Sequence, residues 1–339
     1  MRTLSHPHCP NCGSDGIEAY SGLRDKLYGA PGTWRIKRCG NARCGVYWGD
    51  PAPHPDDLAL AYRGYYTHAF DPEGRRPSAF NFAVRTAYVA RRLGYRNGEA
   101  WWPRQLSRLV PLLPERSQSA LYSRFYLPWK QDGRLLELGC GSGRQLEAMA
   151  HAGWDARGVD FDPEAVTVAH SRGLDVSLGD VRGLNLPEAS FDAIVMAHVL
   201  EHVFDPVGLL TECARLLKPG GTLVSITPNG NSLGHRIFRS AWRGLEPPRH
   251  IVIYTPAGTR LACARAGLTV ERIDVTARDA ANLLLASARI RRSAHDAQIR
   301  RPQAGVRPPF PLRMLAAVER VGNFFGLAWG EELVLIARK

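Results

Sequence analysis

The chain has 339 residues, 45% of them hydrophobic, which is enough for one full α/β domain and one or two smaller units. It contains no run of about 18 apolar residues and no apolar signal core near its N-terminus, so we expect a cytoplasmic protein without a transmembrane segment. The formal net charge of +12 favours partners that carry phosphate, although the arginines are scattered as on an ordinary solvated surface.

Two pairs of cysteines lie near the N-terminus, Cys9-x2-Cys12 and Cys39-x4-Cys44. Turns of this kind bring two sulfurs together, and four thiolates form a closed tetrahedral zinc site. A closed site leaves no position for a substrate, so we predict a structural Zn²⁺ in a zinc ribbon over residues 1–50. The alternative is four thiols without a metal.

The next segment, residues 51–133, begins with the proline-rich stretch PAPHP. Aromatic and arginine-rich residues at helical spacing follow, and further prolines interrupt them. We predict that this segment is a helical linker or lid between the zinc ribbon and the rest of the chain.

From residue 134 to residue 339, apolar strand-like runs alternate with helical segments. This alternation predicts an α/β fold with a doubly wound, mostly parallel, Rossmann-like sheet. Dipeptides such as Asp162-Pro163 and Thr255-Pro256 predict capped helix starts. Near the C-terminus we expect a flexible insertion at about 293–311, and then an amphipathic helix at about 312–325 that packs on the core. The predicted strands are 134–139, 155–160, 174–179, 191–197, 222–227, 268–275 and 332–337.

The first of these strands runs into the loop ELGCGSG, with Gly139, Gly141 and Gly143. Glycines let the backbone turn tightly and approach a ligand where a Cβ would clash. Asp160 and Asp180 end the second and third strands, where carboxylates can bind ribose hydroxyls and an adenine amino group. Ligands of open α/β sheets bind at the carboxyl ends of the strands, so these residues predict a nucleotide-type cofactor site.

With this arrangement, residues 134–338 resemble the class I methyltransferases that use S-adenosylmethionine (SAM), and residues 191–227 are especially typical. The resemblance implies a seven-stranded sheet whose last strand is antiparallel. It also implies that a carboxylate and the glycines hold the methionine part of SAM, one aspartate the ribose, and a second aspartate the adenine. The cofactor-binding residues implied are Glu137, Gly139, Gly141, Gly143, Asp160, Phe161, Asp180 and Val181.

The fourth strand is followed by HVLEHV, in which His198, Glu201 and His202 share a face if the turn is helical. A histidine here could be the general base for a hydroxyl acceptor, or the three residues could bind a divalent metal. They could also simply cap the next segment. Related quinone-biosynthesis O-methyltransferases have a similar cluster, with Glu in place of His198.

The resemblance also implies that the loop at 227–255 covers the acceptor. The residues that could line it are Asn229, His235, Trp242, Arg249 and His250, with Trp242 stacking on a ring. Of these we favour His250, because the string PPRHIVIYT resembles a recurring family feature.

The order of the segments also resembles a set of bacterial methyltransferases associated with sugar and surface-polysaccharide modification. These combine a zinc ribbon, Pro-x-Pro, a tyrosine-rich stretch (here 61–68) and a methyltransferase domain. The function predicted is therefore methyl transfer to a hydroxyl group of a small molecule or glycan.

Two other functions fit parts of the sequence. In an RNA methyltransferase, the zinc ribbon and the arginines would bind phosphates, but the aromatic residues are not interleaved with cations as they are in RNA-binding modules. A SAM-sensing or scaffold protein would keep the glycine loop and both aspartates without catalysing a reaction.

Overall fold

The computed structural model describes residues 1–62, 78–95, 101–293 and 307–339. Residues 63–77 and 96–100 of the predicted linker, most of the tyrosine-rich stretch and most of the predicted loop at 293–311 lie outside these residues. Among the helices described, none is long and apolar enough to cross a membrane.

The chain forms two compact units, each assembled from separate stretches of sequence. The first comprises Met1–Tyr65, His198–Ala214 and Ser225–Ala337. The second comprises Tyr66–Ala197, Arg215–Val224 and Arg338–Lys339. The domain boundaries predicted at residues 50 and 133 stay a prediction.

The regular elements follow one another as strands, then helices, then alternating strands and helices. The strands are β1 (Thr3–Leu4), β2 (Gly16–Leu23), β3 (Trp34–Cys39), β4 (Tyr47–Gly49), β5 (Ala52–Pro53), β6 (Arg134–Leu138), β7 (Asp155–Asp160), β8 (Val176–Leu178), β9 (Phe191–Ala197), β10 (Leu217–Pro228), β11 (Val252–Ile253), β12 (Thr269–Thr276) and β13 (Glu332–Arg338). The helices are α1 (Leu58–Ala61), α2 (Ala79–Leu93), α3 (Trp101–Leu106), α4 (Pro114–Tyr122), α5 (Arg144–Ala150), α6 (Pro163–Ser171), α7 (Pro206–Leu216), α8 (Leu233–Phe238), α9 (Pro256–Arg265), α10 (Ala280–Arg292) and α11 (Phe310–Phe324).

The main sheet has seven strands in the order β12-β13-β10-β9-β6-β7-β8. Strand β6 pairs in parallel with β7 on one side and β9 on the other, and β7 pairs in parallel with β8. The chain therefore reverses its direction of travel across the sheet beside β6, which creates a topological switch point. The predicted doubly wound fold is confirmed, whereas the antiparallel direction of the last strand stays a prediction.

Two predicted helix caps are present. The Asp162 side chain accepts hydrogen bonds from two backbone N–H groups at the start of α6. The Thr255 side chain accepts one from Gly258 at the start of α9. In both helices a proline occupies the first turn, where its missing N–H costs no helical hydrogen bond.

A second sheet has four strands in the order β11-β4-β3-β2, all within the first unit. Strand β4 follows the cysteine pair and pairs antiparallel with β11, with Trp48 opposite Val252 and Tyr47 opposite Ile253. The sheet next to the cysteines is thus completed by a strand some 200 residues later in the chain, directly after His250. Local sequence patterns did not predict this pairing.

Helix α11 lies close to its predicted position, but only part of its predicted core-facing stripe is buried. The sequence predicts a stripe of Leu312, Leu315, Val318, Val321 and Phe325. Leu312 and Leu315 pack against the core of the first unit, whereas the other three are exposed, and Ala316 and Glu319 are buried instead. The buried face follows helical spacing through a glutamate, so a pattern built on apolar residues alone misses part of it.

Candidate functional site

The glycine loop between β6 and α5 lies in the second unit. Gly139, Gly141 and Gly143 have φ values of 67°, 53° and 81°, which favour glycine. A Cβ on Gly143 would also lie 2.3 Å from Cδ1 of Leu174, so this methyl group would have to shift to admit a side chain. Glycine is therefore the favoured residue at position 143, where the loop leads into α5.

Asp160 is buried at the end of β7, and its carboxylate is held by backbone groups. One oxygen accepts a hydrogen bond from the N–H of Gly141 at 2.7 Å, and the other accepts one from Asp162 at 2.9 Å. Burial raises the pKa of Asp160, while these two hydrogen bonds oppose the rise. The carboxylate is thus fixed in direction against the glycine loop, as a ribose-binding acceptor requires.

Glu137 is buried within β6, and its Oε2 atom has no hydrogen-bond partner among the described residues. Burial and the nearby Asp160 raise the pKa of Glu137 well above its usual value. A buried carboxyl oxygen without a partner is costly unless a ligand satisfies it. The ammonium group of SAM would do so, and the donor set therefore fits this cofactor.

The remaining predicted cofactor residues follow β7 and β8. Asp180 accepts a hydrogen bond from the backbone N–H of Arg182 at 2.9 Å and forms an ion pair with its guanidinium, which lowers the pKa of Asp180. Val181 is buried, and Phe161 is 57% exposed. Asp180 is also exposed. The roles predicted for Asp180, Val181 and Phe161 stay predictions.

The first unit contains an acidic–histidine cluster, which we define as His198, Glu201, His202 and His250. Glu201 is fully buried at its centre and accepts hydrogen bonds from Oγ1 of Thr227 at 3.0 Å and from Nδ1 of His198 at 3.2 Å. Burial by itself would raise the pKa of Glu201, but the hydrogen bond and the positive charge of His198 outweigh it and lower that pKa to about 2. Glu201 is therefore an ionised buried carboxylate.

His198 lies between two carboxylates. Its Nδ1 faces Glu201, and its Nε2 is 3.2 Å from Oε1 of Glu332. Desolvation opposes the imidazolium, yet the two hydrogen bonds raise the pKa of His198 well above its usual value. A histidine that is already protonated cannot accept another proton, so the geometry favours a positioning role for His198.

His202 and His250 have the opposite character. Nδ1 of His202 is 3.0 Å from the carbonyl oxygen of Arg249, and Nδ1 of His250 is 2.7 Å from that of Gly244. A carbonyl oxygen only accepts, so both Nδ1 atoms carry hydrogen, and the neutral ring leaves a lone pair on each Nε2. Nε2 of His250 also lies 3.6 Å from Oε2 of Glu246. Burial lowers the pKa of both residues, which keeps the rings neutral. Each Nε2 is therefore able to accept a proton or bind a metal.

The backbone before His250 is fixed by Arg249, which is fully buried. The guanidinium forms ion pairs with Asp25 at 2.7 Å and Glu246 at 2.9 Å, and it donates to the carbonyl oxygen of Ala61 at 2.8 Å. Asp25 and Ala61 are distant from Arg249 in the sequence, whereas Glu246 belongs to the same loop. Arg249 therefore joins these segments of the first unit to one another. In this loop, the residue that can contact a ligand is then the next one, His250.

Glu201, His202 and His250 also meet the requirements of a divalent cation site. One ligand atom from each lies within 4.8 Å of the others. Two neutral imidazoles and one carboxylate suit a first-row transition metal with open positions. The residues therefore fit either of the two predicted roles, general base or metal ligand.

The four N-terminal cysteines lie together as predicted. The Sγ atoms of Cys9 and Cys44 are 3.8 Å apart, those of Cys12 and Cys39 are 3.5 Å apart, and all four lie within 4.8 Å of one another. Tetrahedral zinc with bonds of about 2.3 Å separates its sulfurs by about 3.8 Å. The thiols are reduced in the structure and their spacing is compatible with one zinc ion.

Neighbouring polar groups support this cysteine cluster. The side-chain amide of Asn11 donates to Sγ of Cys44 at 3.2 Å and to the carbonyl oxygen of Gly258 at 3.0 Å. The Thr255 hydroxyl donates to the carbonyl oxygen of Cys44 at 2.8 Å. The cysteine loops are therefore joined to the start of α9, and such supporting groups are typical of metal sites.

The loop after β10 was expected to cover the acceptor, with Trp242 stacking on a ring. Trp242 is only 2% exposed, stacks on His235 at 4.6 Å between ring centroids, and donates from Nε1 to Glu331 at 2.6 Å. Both aromatic residues are therefore engaged in core packing, and His250 remains the member of this loop that joins the cluster.

Sequence reasoning missed three partners of the cluster: Tyr62, Thr227 and Glu332. The Tyr62 hydroxyl is 3.0 Å from Nδ1 of His202. Thr227 ends a buried strand, which is the position at which a polar residue signals a site. Glu332 is the first residue of β13 and follows Glu331. Two acidic residues at the start of a buried strand are unusual, and this pattern in the sequence could have indicated a functional site.

A doubly wound sheet with a glycine loop and two buried carboxylates at its switch point defines a Rossmann-like nucleotide-cofactor protein. Residues 136–225 match the family described as a methyltransferase domain. This part of the chain is thus a methyltransferase domain, in agreement with the resemblance found in the sequence.

Two curated relatives are ubiquinone biosynthesis O-methyltransferases. The protein from Xanthomonas oryzae pv. oryzae is 42% identical over 103 residues, which cover 28% of this chain and 43% of the relative. The protein from Cereibacter sphaeroides is 38% identical over 132 residues, 37% of this chain and 51% of the relative. The chain therefore spans about half the length of the relatives it matches.

Solved structures with a similar chain course include two SAM-dependent methyltransferases. The one from Mesorhizobium loti is 19% identical, with a TM-score of 0.44, and covers 65% of this chain and 97% of its own. The one from Archaeoglobus fulgidus is 18% identical, with a TM-score of 0.44, and covers 71% of this chain and 100% of its own.

Proposed function

We propose that the protein is a SAM-dependent methyltransferase that methylates a hydroxyl group of a small molecule or glycan. The observation that carries the proposal is the pair of neutral histidines, His202 and His250, each with its Nδ1 hydrogen committed to a backbone carbonyl. A hydroxyl acceptor must lose its proton during methyl transfer, and an imidazole with a free Nε2 is suited to take it.

The cofactor would be held by the glycine loop, by Glu137 through its unpartnered oxygen and by Asp160 through its remaining acceptor positions. When bound, SAM supplies an electrophilic methyl group on a sulfonium. Asp180 and Val181 would receive the adenine. Positioning of the acceptor oxygen in line with the methyl group is the main contribution expected of the protein.

Nε2 of His250 or His202 would take the proton of the acceptor hydroxyl as its oxygen attacks the methyl carbon, whose bond to the sulfonium sulfur would break to leave S-adenosylhomocysteine. His198 would hold the turn that carries His202 in place, because its Nδ1 is 3.2 Å from Oε1 of Glu201 in the same turn. His198 follows the last residue of β9 directly in the chain, and residues at the carboxyl ends of such strands are the ones that serve active sites.

A divalent metal is the alternative for the same three ligands, Glu201, His202 and His250. It would lower the pKa of the acceptor hydroxyl and replace the base. Loss of activity in a chelator that spares the N-terminal zinc, with recovery on adding a divalent cation, would distinguish this role from that of a histidine base.

The acceptor class rests on two resemblances. The order of segments resembles methyltransferases of sugar and surface polysaccharides, whereas the curated relatives are O-methyltransferases of ubiquinone biosynthesis. A hydroxyl group is common to both, and we favour a glycan or its precursor because of the N-terminal cysteine module. A cytoplasmic location accompanies this proposal as a prediction.

The test uses SAM labelled on its methyl group, incubated with the protein and a desalted bacterial lysate. Label is then measured in nucleic acid, in lipid-linked or polysaccharide material, and in small molecules, with and without nuclease. Label in glycan or small molecules that survives nuclease supports the proposal. Label released by nuclease would assign the protein to RNA, and SAM binding without any labelled product would favour a sensor or scaffold.

A further inference from the structure

A cavity of about 260 Å³ lies in the first unit, beside the end of β2, the residues after α8 and the end of α10. Three cationic side chains line it, Arg24, Lys26 and Arg291, together with the hydroxyl groups of Ser21 and Ser240. None of its lining residues, all of which are described, carries a carboxylate. Its volume is roughly twenty times the 10–15 Å³ that one water molecule needs, so it has room for a group of several heavy atoms. We call it the basic cavity.

Two of the cations are held in place by neighbouring groups. Nζ of Lys26 donates to the carbonyl oxygens of Ile290 at 3.3 Å and Ser293 at 3.1 Å. The guanidinium of Arg291 lies over the ring of Phe238 at 4.7 Å from its centroid. These contacts restrict long side chains that would otherwise extend into solvent, so less entropy is lost when an anion binds.

Two carboxylates of the neighbouring segments pair with an arginine that does not line the basic cavity. Asp25 lies between two of the cavity cations in the sequence, but its carboxylate pairs with Arg249 and accepts hydrogen bonds from the backbone N–H groups of Leu27 and Ala30. Glu246 also pairs with Arg249. The positive charge of the basic cavity is therefore not cancelled by these two carboxylates.

A smaller cavity of about 30 Å³ shares Arg24, Lys26 and Ser240 with the basic cavity, and its lining also includes Asp25, Glu246 and Pro247. Pro247 lies three residues before His250 in the chain. A ligand anchored in the basic cavity would thus lie beside the loop that carries the proposed base.

We propose that the basic cavity binds the phosphate or diphosphate group of the acceptor substrate. The inference rests on the proposed function, since it names the class of hydroxyl acceptor that the enzyme would take, a phosphorylated sugar or nucleoside diphosphate derivative. Arginine guanidinium groups bind phosphate oxygens in a bidentate manner, and a lysine and two serines add single donors. The cationic lining gives the site a preference for this anionic group over a neutral hydroxyl compound.

The test is calorimetric titration of the full chain with sodium pyrophosphate, and separately with uridine diphosphate, at low salt. Arg24→Ala and Arg291→Ala each remove one cavity cation, and Ser240→Asp places a negative charge in the cavity without removing a side chain that packs. Arg313→Ala is the matched control, because Arg313 is exposed in the same unit and does not line the cavity. We expect at least tenfold weaker binding in the three cavity variants and less than a twofold change in the control.

Equal weakening in all four variants, or no binding of either probe to the wild-type chain, would overturn the inference. Stronger displacement of the probe by RNA, with the control variant affected as much as the cavity variants, would also overturn it and assign the cations to a polymer backbone. Binding of S-adenosylhomocysteine is measured on the same samples. If the probe fails to bind while S-adenosylhomocysteine binds, only the proposal for the basic cavity is rejected. If the probe binds and S-adenosylhomocysteine does not, the cofactor assignment is rejected and the phosphate site is retained.

Discussion

The backbone N–H of Ile251 donates a hydrogen bond to the carbonyl oxygen of Glu201 at 2.7 Å. Ile251 follows His250, and Glu201 precedes His202, so this one bond fixes the backbone of both histidines relative to each other. The ring centroids are consequently 4.8 Å apart with an edge-to-face angle of 73°. The pair is therefore preorganised, as a proton acceptor or metal site requires.

The first prediction concerns the base. His250→Asn keeps an N–H that can donate to the carbonyl of Gly244 and removes the Nε2 lone pair. We expect kcat to fall by about 10²–10⁴-fold, the usual contribution of a general base, while SAM affinity stays within twofold. Stopped assays with labelled SAM and calorimetry would measure the two quantities.

The matched control is His235→Asn. His235 makes the same kind of bond, from Nδ1 to the carbonyl oxygen of Gly230 at 2.7 Å, but lies outside the cluster. This variant should lower the melting temperature, because His235 stacks on Trp242, without a comparable loss of kcat below that temperature. Equal loss of kcat in both variants would assign a packing role to His250.

The second prediction concerns the cofactor. Asp160→Ala should weaken SAM binding by about 10–100-fold, because hydrogen bonds to a charged group contribute about 1.5–3 kcal/mol. Asp175→Ala is the control, since Asp175 is an exposed carboxylate of the same unit that pairs with Arg157 at 2.8 Å. Calorimetric titration with SAM provides the measurement, and unchanged binding in the Asp160 variant would refute the cofactor assignment.

Some features of the fold and site could be predicted because their signals are local. Strand periodicity, the glycine loop, and an acceptor followed by proline each lie within a few residues, as at Asp162 and Thr255. The aspartate that ends a predicted strand is also a local signal, and Asp160 is indeed buried beside the glycine loop.

The features that were missed depend on contacts between distant residues. The pairing of β4 with β11 joins residues about 200 positions apart, and two short strands of this length carry no pattern of their own. The partners Tyr62 and Glu332 are similarly remote from the histidines they contact. The burial of Glu319 contradicts its polarity, so no apolar pattern could have indicated it.

The third prediction separates backbone conformation from space in the glycine loop. Gly143 and Gly173 have similar positive φ values, 81° and 75°, so alanine is strained at both. Only at Gly143 would the new Cβ meet another atom, Cδ1 of Leu174 at 2.3 Å. Gly143→Ala should therefore lower the melting temperature more than Gly173→Ala, by several degrees, and should also weaken SAM binding. Equal effects in thermal unfolding would contradict the steric argument.

The fourth prediction concerns the N-terminal cysteines. The purified chain should contain one zinc per molecule by elemental analysis, and Cys44→Ser should lose it. Cys213→Ala, which removes a buried thiol outside the cluster, should keep it. Because β4 pairs with β11 directly after His250, zinc loss should reduce kcat as well as stability, and added Zn²⁺ should restore both in chelator-treated wild-type protein. Full zinc content in Cys44→Ser would rule out the four-thiolate site.

The fifth prediction is a pH dependence of stability in the second unit. Asp192 is the second residue of β9, and only 5% of its side chain is exposed. Burial by itself would raise its pKa, but the backbone N–H of Arg134 and the ammonium groups of Lys130 and Lys218, at 2.6–2.9 Å, lower the pKa of Asp192 to about 2. The carboxylate is thus more acidic in the folded chain than in the unfolded one.

A group with a depressed folded pKa stabilises the protein above its unfolded pKa, and this contribution is lost as the pH falls through the folded value. For Asp192 the loss should occur between about pH 4 and pH 2, and should be on the order of 1–2 kcal/mol. Asp192→Asn should therefore lower the urea midpoint at pH 7 and flatten its decline toward pH 2. Asp155→Asn, at an exposed ion pair with Arg134, should change neither, because exposed pairs contribute little to stability. A parallel decline of the urea midpoint with pH in wild type and Asp192→Asn would show that another carboxylate controls acid unfolding.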